Sequence, residues 1–258
     1  MNLEQRVAAL EAALEKANLE IIRAQAAVEI QSVMGRYEFY YSAQRQDLIQ
    51  TLWSKNAPDA AMDIQGGANL VNCPRDPADL ERHQKMMAEQ TVGLFRIHTL
   101  CTPVVEVAGD GKTARACWFS PGIDTDPTTD PETGERKGVS KWCWIKYGVD
   151  FVREDGQWKL WHVSAYGSFH CDFYQSWADQ PEKPLSRTAA PLDPSKPPPP
   201  SGGPGFVPAE RNDWTYSINR LPELDPAPPE PYQTWDDLGY PGYRTFDDEE
   251  AKKYINWV

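Results

Sequence analysis

Residues 140–169 read SKWCWIKYGVDFVREDGQWKLWHVSAYGSF, two runs rich in aromatic and β-branched residues on either side of Glu154-Asp155-Gly156-Gln157. Asp-Gly between such runs is a strong short-range signal for a β-hairpin. With a two- or four-residue loop, Phe151 pairs Leu160, Val149 pairs His162, Tyr147 pairs Ser164 and Ile145 pairs Tyr166, all facing the core. A three-residue loop with a bulge would instead turn Trp142, Trp144, Lys146 and Asp150 inward. The first register is preferred because it leaves no lysine or aspartate in an apolar interior. It sets Trp158, Leu160, His162, Ser164 and Tyr166 in one row, core at its start and polar at its end. Trp142, Trp144 and Trp161 then lie on the other face, where a subunit contact or a covering segment is expected.

Upstream, LFRIHTLCTPVVEVAGDGKTARACWFSPG, residues 94–122, reads as two more strands around Gly109-Asp110-Gly111-Lys112. On the second of these, Ala116, Trp118 and Ser120 share one parity. Helical patterns precede the strands. AVEIQSVMGRYEFYYSA, residues 27–43, places Ile30, Val33, Met34, Tyr37, Tyr40 and Tyr41 on one face, with Arg36 at its border and Phe39 pointing away. Buried phenols need hydrogen-bond partners, so three tyrosines on a core stripe suggest a polar pocket edge. A short helix, a turn at Pro58 and a strand follow. Residues 75–90 carry a helix start at Asp76 and Pro77, with Leu80, His83 and Met87 on its inner face. Helices followed by a meander predict an α+β layer in which a curved antiparallel sheet packs on helices.

Two segments flank this unit, giving expected divisions at 1–24, 25–175 and 176–258. Leu3, Val7, Leu10, Leu14 and Ile21, with Ala17, Ala24 and Val28, form a heptad seam that suits a partner helix, hence a homo-oligomer such as a dimer or trimer. A helix lying on its own domain is the alternative. Sixteen of the 23 prolines lie after position 180, so a compact second domain is not expected there. Trp214, Tyr216, Tyr232, Trp235, Tyr240, Tyr243, Phe246, Tyr254 and Trp257 recur in it, however, and disordered tails are poor in aromatics. The expectation is an arm wrapped ring by ring over its own domain or a neighbour, able to act as a lid.

A net charge of -12 argues against nucleic acid or an anionic membrane as partner. The N-terminal MNLEQRVAALEAALEKA has neither the apolar core nor the cleavage site of a secretory signal, and a cytoplasmic protein is expected. Five scattered cysteines without C-x-x-C suggest buried thiols rather than disulfides or zinc. Nucleotide-binding and metal-protease motifs are absent, and the run His170-Cys171-Asp172 is a poor chelator because consecutive side chains diverge. No metal and no cofactor are therefore expected. Chemistry would fall to His98 on an inward strand face as the principal base, opposite Tyr37 and Tyr41 as acid or oxyanion partners, with His162 on a neighbouring strand as a second polar contact to substrate. Arg36, Tyr40, Trp118, Tyr147 and Tyr166 would complete the substrate-binding wall.

Three stretches, IQSVMGRYEFYYSAQRQDLIQTLWSKNAPDAAMDI, IHTLCTPVVEVAGDGKTARACWF and YGVDFVREDGQWKLWHV, resemble the SnoaL-like branch of the nuclear transport factor 2-like superfamily over residues 25–170. The resemblance implies a cone of helices closed by a curved sheet around an apolar pocket. It also implies cofactor-free catalysis by His, Asp and Tyr, as in dehydratases and polyketide cyclases. His98 matches the strand histidine of such enzymes, and Tyr37 and Tyr41 approximately match their helix tyrosines. The helix aspartate of the dehydratases has no counterpart in YYSAQRQD, and Asp63 is expected to point outward. The tyrosine-rich helix and proline-rich arm look closer to members that include lyases of lignin-derived diarylpropanes. The implied function is a lyase for a bulky aromatic small molecule, and the alternative is a non-catalytic binding or oligomerising scaffold.

Overall fold

The structure is a computed structural model and describes residues 2–64, 67–72, 81, 85, 88–179, 206–208, 216–239, 242–244, 246 and 252. The helix expected at 75–90, with His83, lies outside the described residues apart from isolated positions, as do Cys73, Trp214, Tyr240, Tyr254 and Trp257.

One helix, α1, runs unbroken from Leu3 to Ser42. Asn2 starts it with a capping box: its side chain accepts from the Gln5 backbone N–H, and the Gln5 side chain accepts from the Asn2 N–H. The seam of its first half, Leu3, Val7, Leu10, Leu14 and Ile21, is exposed, so it does not lie on the chain's own domain. Burial begins at Ala26 and continues through Ile30, Val33, Met34, Tyr37 and Glu38. This lower half packs on the sheet, and the short helix α2 (Gln46–Gln50) follows at once.

The strands are β1 (Ala61–Ile64), β2 (Gly67–Leu70), β3 (Phe95–His98), β4 (Cys101–Val107), β5 (Thr113–Thr129), β6 (Arg136–Glu154), β7 (Gln157–Asp172) and β8 (Phe206–Pro208). They form one mixed sheet in the order β3-β5-β6-β7-β1-β2-β8, with β4 also on β5. Among these strands only the β1–β7 pairing is parallel. The long β5, β6 and β7 curl around the apolar face of α1, and Trp118, Tyr147, Val149, Phe151, Leu160 and Val163 join Ile30 and Met34 in the core. This is the α+β cone.

The β6–β7 turn is the two-residue loop expected: Glu154 pairs Gln157, and Asp155 and Gly156 both have left-handed φ, 49° and 78°. Phe151 pairs Leu160, also as expected. One residue further the register slips, because Trp161 forms a β-bulge and Asp150, not Val149, pairs His162. A bulge exchanges the faces of everything beyond it. Val163 and Ala165 therefore enter the core, while His162, Ser164 and Tyr166 go to the far side. A second bulge at Ser168 restores the original parity, pairing Trp144 with Phe169 and Cys143 with His170.

Candidate active site

The concave face of the sheet and the end of α1 enclose a pocket of about 240 Å³, lined by residues from α1, β1, β3, β5, β6 and β7. Four of its residues, Arg96, His98, Asp124 and Asp126, come from β3 and β5. His98 pairs with Gly122 across the ladder, where a Cβ would lie 2.8 Å from the Ile97 carbonyl and 3.1 Å from the imidazole. Glycine thus leaves room for the ring beside β5. Two residues along, Arg96 pairs Asp124. The Nε2 of His98 stands 3.3 Å from Oδ1 of Asp124, and Nε of Arg96 is 4.0 Å from the same oxygen. Burial opposes ionisation of Asp124, but the hydrogen bond and charge of His98, with Arg96 and His170, prevail and hold its carboxyl below the usual range. An ionised Asp124 accepting from Nε2–H fixes one tautomer and leaves Nδ1 as the basic nitrogen. That Nδ1 is buried and has no hydrogen-bond partner.

Helix α1 supplies the opposite wall. Tyr37 and Tyr41 stack 6.1 Å apart, Tyr147 meets Tyr37 edge-on, and Tyr41 meets the His98 ring edge-on at 5.8 Å. The Tyr37 hydroxyl donates to the Met62 sulfur at 3.4 Å, and Arg96 donates to the Tyr41 hydroxyl at 3.3 Å. Burial raises all three phenols, most strongly Tyr37 and Tyr147, so they stay protonated donors at neutral pH. Behind them sits Glu38, 7% exposed, whose carboxyl burial pushes up to about 7, against the nearby charge of His98 and a hydrogen bond from Tyr147. Neither of its oxygens has a partner at full hydrogen-bond geometry. Glu38 was missed in the sequence, although it falls four residues after Met34 and three before Tyr41, squarely on the buried stripe. Asp124 was missed because the strand was expected to end at Pro121-Gly122, whereas β5 continues to Thr129.

The structure brings His98, Tyr37, Tyr41 and Tyr147 together in the pocket and adds His170, returned to the concave face by the second bulge. Other expectations need correction. Arg36 is exposed on α1, and Tyr40 is half-buried against the core; neither lines the pocket. Trp118 is a core residue, edge-on to Phe151, rather than a pocket wall. His162 and Tyr166 are on the convex face because of the bulge at Trp161. Asp63 lies on the face opposite Met62, away from the pocket, yet it is buried. An aspartate does stand beside His98, but on β5 as Asp124 rather than on the helix.

His162 has a different setting. It is 1% exposed, with Nδ1 3.0 Å from Asp150 Oδ2 and Nε2 3.2 Å from Asp59 Oδ2. Burial disfavours its charge, but hydrogen bonds and charges from both aspartates win, and its pKa is raised. The same influences from His162, with Trp161 and Arg244, hold Asp59 down to about 2 despite burial. Arg115 donates to Asp150, and the C-terminal arm closes the network: the Tyr243 N–H donates to Asp150 at 2.8 Å and Ser164 donates to the Tyr243 carbonyl at 2.6 Å. The Tyr243 ring lies so near Gly148 that a Cβ there would come within 2.6 Å of it. Trp235 covers Trp161, with ring centroids 4.3 Å apart. The arm is thus anchored by aromatics on its own domain, and none of its described residues lines the pocket.

For a metal, the donor atoms of His98, Asp124 and Cys143 lie within 4.8 Å of one another. Arg96 already compensates the Asp124 charge, and burial together with Asp124 pushes the Cys143 thiol up to about 12, so the set is a poor match for a thiolate-seeking cation. Of the described cysteines, all free, Cys143 and Cys171 are buried as expected; Cys117 is half-buried and Cys101 exposed. Among the described residues no helix is long and apolar enough to cross a membrane.

No curated protein matches this sequence. Among solved structures, the chain is similar to a candidate scytalone dehydratase from Novosphingobium aromaticivorans, with 12% identity, coverage of 61% of this chain and 93% of the other, and a TM-score of 0.42. It is similar to a type 3 LinA hexachlorocyclohexane dehydrochlorinase from Novosphingobium barchaimii, with 13% identity, coverage of 63% and 99%, and a TM-score of 0.43. Residues 23–164, more than half of the chain, match the SnoaL-like domain family, and the protein belongs to that family.

Proposed function

We propose that the protein is a cofactor-independent lyase that eliminates water, or water and formaldehyde, from a bulky aromatic alcohol by acid–base chemistry. The observation that carries this reading is the His98–Asp124 pair, with an unpartnered basic nitrogen, in a pocket walled by three protonated tyrosines. His98 Nδ1 takes a proton from substrate, and Asp124 stabilises the imidazolium that forms. A tyrosine hydroxyl, Tyr41 or Tyr37, gives a proton to the departing hydroxide, which leaves as water. Glu38, titrating near neutrality behind Tyr147, is placed to return protons between turnovers.

With a phenolic diarylpropane diol, the benzylic C–O bond breaks as a tyrosine protonates the departing hydroxide, and the phenolic proton passes to the tyrosinate so formed, giving a quinone methide and water and leaving His98 neutral. His98 then deprotonates the terminal hydroxymethyl group, its C–C bond breaks, formaldehyde departs, and the electron pair forms the alkene while restoring the phenolate. The sequence resemblance to cofactor-free dehydratases supports the same reading. The test is incubation with phenolic two-ring diols and polycyclic ketols, followed by product and formaldehyde analysis. Turnover that disappears in His98→Gln while ligand binding persists supports a lyase. Binding with no turnover across the panel would instead favour a binding module.

A further inference from the structure

Residues 3–18 of α1 are exposed throughout, and Leu19 is the first that is partly covered. The covered side is well defined. A Cβ on Gly111, in the turn between β4 and β5, would lie 2.7 Å from Leu19 and 3.4 Å from Ile22, and Ala26, Ile30, Val33 and Tyr37 carry the same side into the core. At about 100° per residue, the apolar seam of the helix lies on the opposite side. Val28 shows the contrast: it is 69% exposed although Ala26 and Ile30, on either side of it, are fully buried. The seam therefore runs past the domain without being covered by it. An isolated helix of this kind is marginal in water, and most helical stability comes from packing of the apolar face. Most of the seam also precedes residues 23–164, the part matched by the family.

We propose that this seam pairs with the same seam of a second copy of the chain, as a parallel, in-register, two-stranded coiled coil over residues 3–28. Residue types set the strand number. In heptads, Val7, Leu14, Ile21 and Val28 take the a positions, and Leu3, Leu10, Ala17 and Ala24 the d positions. β-Branched residues at a with leucine at d favour two strands over three or four. Charge sets the direction, through the e and g positions that flank the seam. In a parallel pair each g residue faces the e residue of the other chain five positions on, so Arg6 of each copy faces Glu11 of the other, twice by symmetry. The following pairs, Ala13 with Asn18 and Glu20 with Gln25, bring no like charges together. An antiparallel pairing over the full seam would set Arg6 opposite Ala27 and Glu11 opposite Asn18, and would form no ion pair. Because the seam faces away from the buried side, the two domains lie on the outer flanks of the pair.

This inference does not rest on the lyase reading. The full chain, Glu11→Lys, and the double variant Arg6→Glu with Glu11→Lys are compared by sedimentation equilibrium over micromolar concentrations. The full chain is expected at the mass of two chains. Glu11→Lys turns both ion pairs into like-charge contacts and should raise the dissociation constant about tenfold or more, whereas the double variant, with both pairs reversed, should return to within about threefold of the native value. The new lysine gains Glu15 one turn on, so the weakening would not come from loss of helix. Orientation is read separately: on mild oxidation Leu10→Cys should give a disulfide-linked dimer, since the parallel register sets the two positions side by side, and Ala12→Cys, on the outer side, should not exceed the unaltered protein. A single-chain or three-chain mass, an unchanged constant in Glu11→Lys, a double variant as weak as the single one, or crosslinking no better at 10 than at 12 would each overturn the coiled coil.

Discussion

Replacing Glu38 with glutamine isolates a carboxyl behind the pocket tyrosines that burial holds near neutrality. Its ordinary value of 4.5 rises to about 7 in the fold. Above pH 4.5 the unfolded chain gives up this proton while the folded protein keeps it, so stability falls as pH climbs and the loss is complete once pH passes about 7. The size of that loss follows from the shift at about 1.36 kcal/mol per pH unit, and comes to about 3 kcal/mol. It is an upper bound, because water entering the pocket would solvate the anion. The amide of the variant keeps the shape, cannot ionise, and can still meet the Tyr147 hydroxyl. Glu38→Gln should therefore match the native protein at about pH 5 and exceed it by up to about 3 kcal/mol at about pH 8, read from urea midpoints at several pH values. If Glu38 also returns protons during turnover, the same variant loses the limb of its pH–rate profile near 7. A stability difference that does not change with pH, or a variant weaker in mild alkali, would refute the assignment of a carboxyl whose burial outweighs its contacts.

Three further outcomes follow from other parts of the fold. Asp124→Asn releases the His98 tautomer, and kcat is expected to fall at least about a hundredfold with little change in binding; an unaltered kcat would remove Asp124 from the mechanism. His162→Ala leaves Asp59 and Asp150 facing each other without their shared cation, at a cost of about 3–5 kcal/mol in thermal or urea unfolding. In the native protein the raised His162 contributes stability that is whole below about 6.5 and lost as pH rises through its folded value, whereas the depressed Asp59 loses its contribution as pH falls toward 2. A loss below about 1 kcal/mol for the variant would show that the network is not holding the arm. The exposed stripe on the first half of α1 is a proposed self-association seam, so Leu10→Glu with Leu14→Glu should lower the mass measured by light scattering; an unchanged mass would place any oligomer contact elsewhere.

The parts of this architecture written in local chemistry were legible. The Asp155-Gly156 turn, the periodic stripe from Ile30 to Tyr41 and the recurring aromatics of the arm each depend on a residue type at a fixed spacing. The two β7 bulges depend on something else. Neither Trp161 nor Ser168 differs in type from a regular strand residue, and what makes the slip at Trp161 favourable is distant in sequence: Asp59 receiving the indole, Trp235 stacking on it, and the arm covering the convex face. Strict alternation consequently selected His162 for the pocket, from which the first slip removes it; His170 shares that parity and regains it at the second slip, but the sequence suggested it only as part of a poor metal-binding run. Asp124 was hidden by a proline and a glycine that normally end a strand. Here Pro121 is accommodated where β3 gives way to β4, and the Thr99 N–H donates to its carbonyl. Glu38 was hidden by its charge, since a carboxylate on an apolar stripe is usually assigned to solvent.

That pattern separates scaffold from site more sharply than residue type does. Both faces of the sheet carry a buried histidine beside an aspartate, so the pairing by itself does not reveal which is chemical. On the convex face both His162 nitrogens face carboxylates, Asp150 receives Arg115, His162 and the Tyr243 amide, and the arm seals the group. Such a network leaves the His162 ring no lone pair for a reactant, and its energy goes into holding one conformation. On the concave face Nδ1 of His98 and the hydroxyl of Ser120 are buried without partners, and Glu38 is buried with only Tyr147 near its carboxyl and no bond at full geometry. Each costs folding free energy that an apolar or paired residue would not. They are tolerable only if something else satisfies them, and the cavity in front of His98 is where a ligand or water would do so. The unsatisfied histidine is therefore the one to which chemistry is assigned, and the fully paired one keeps the opposite face in shape.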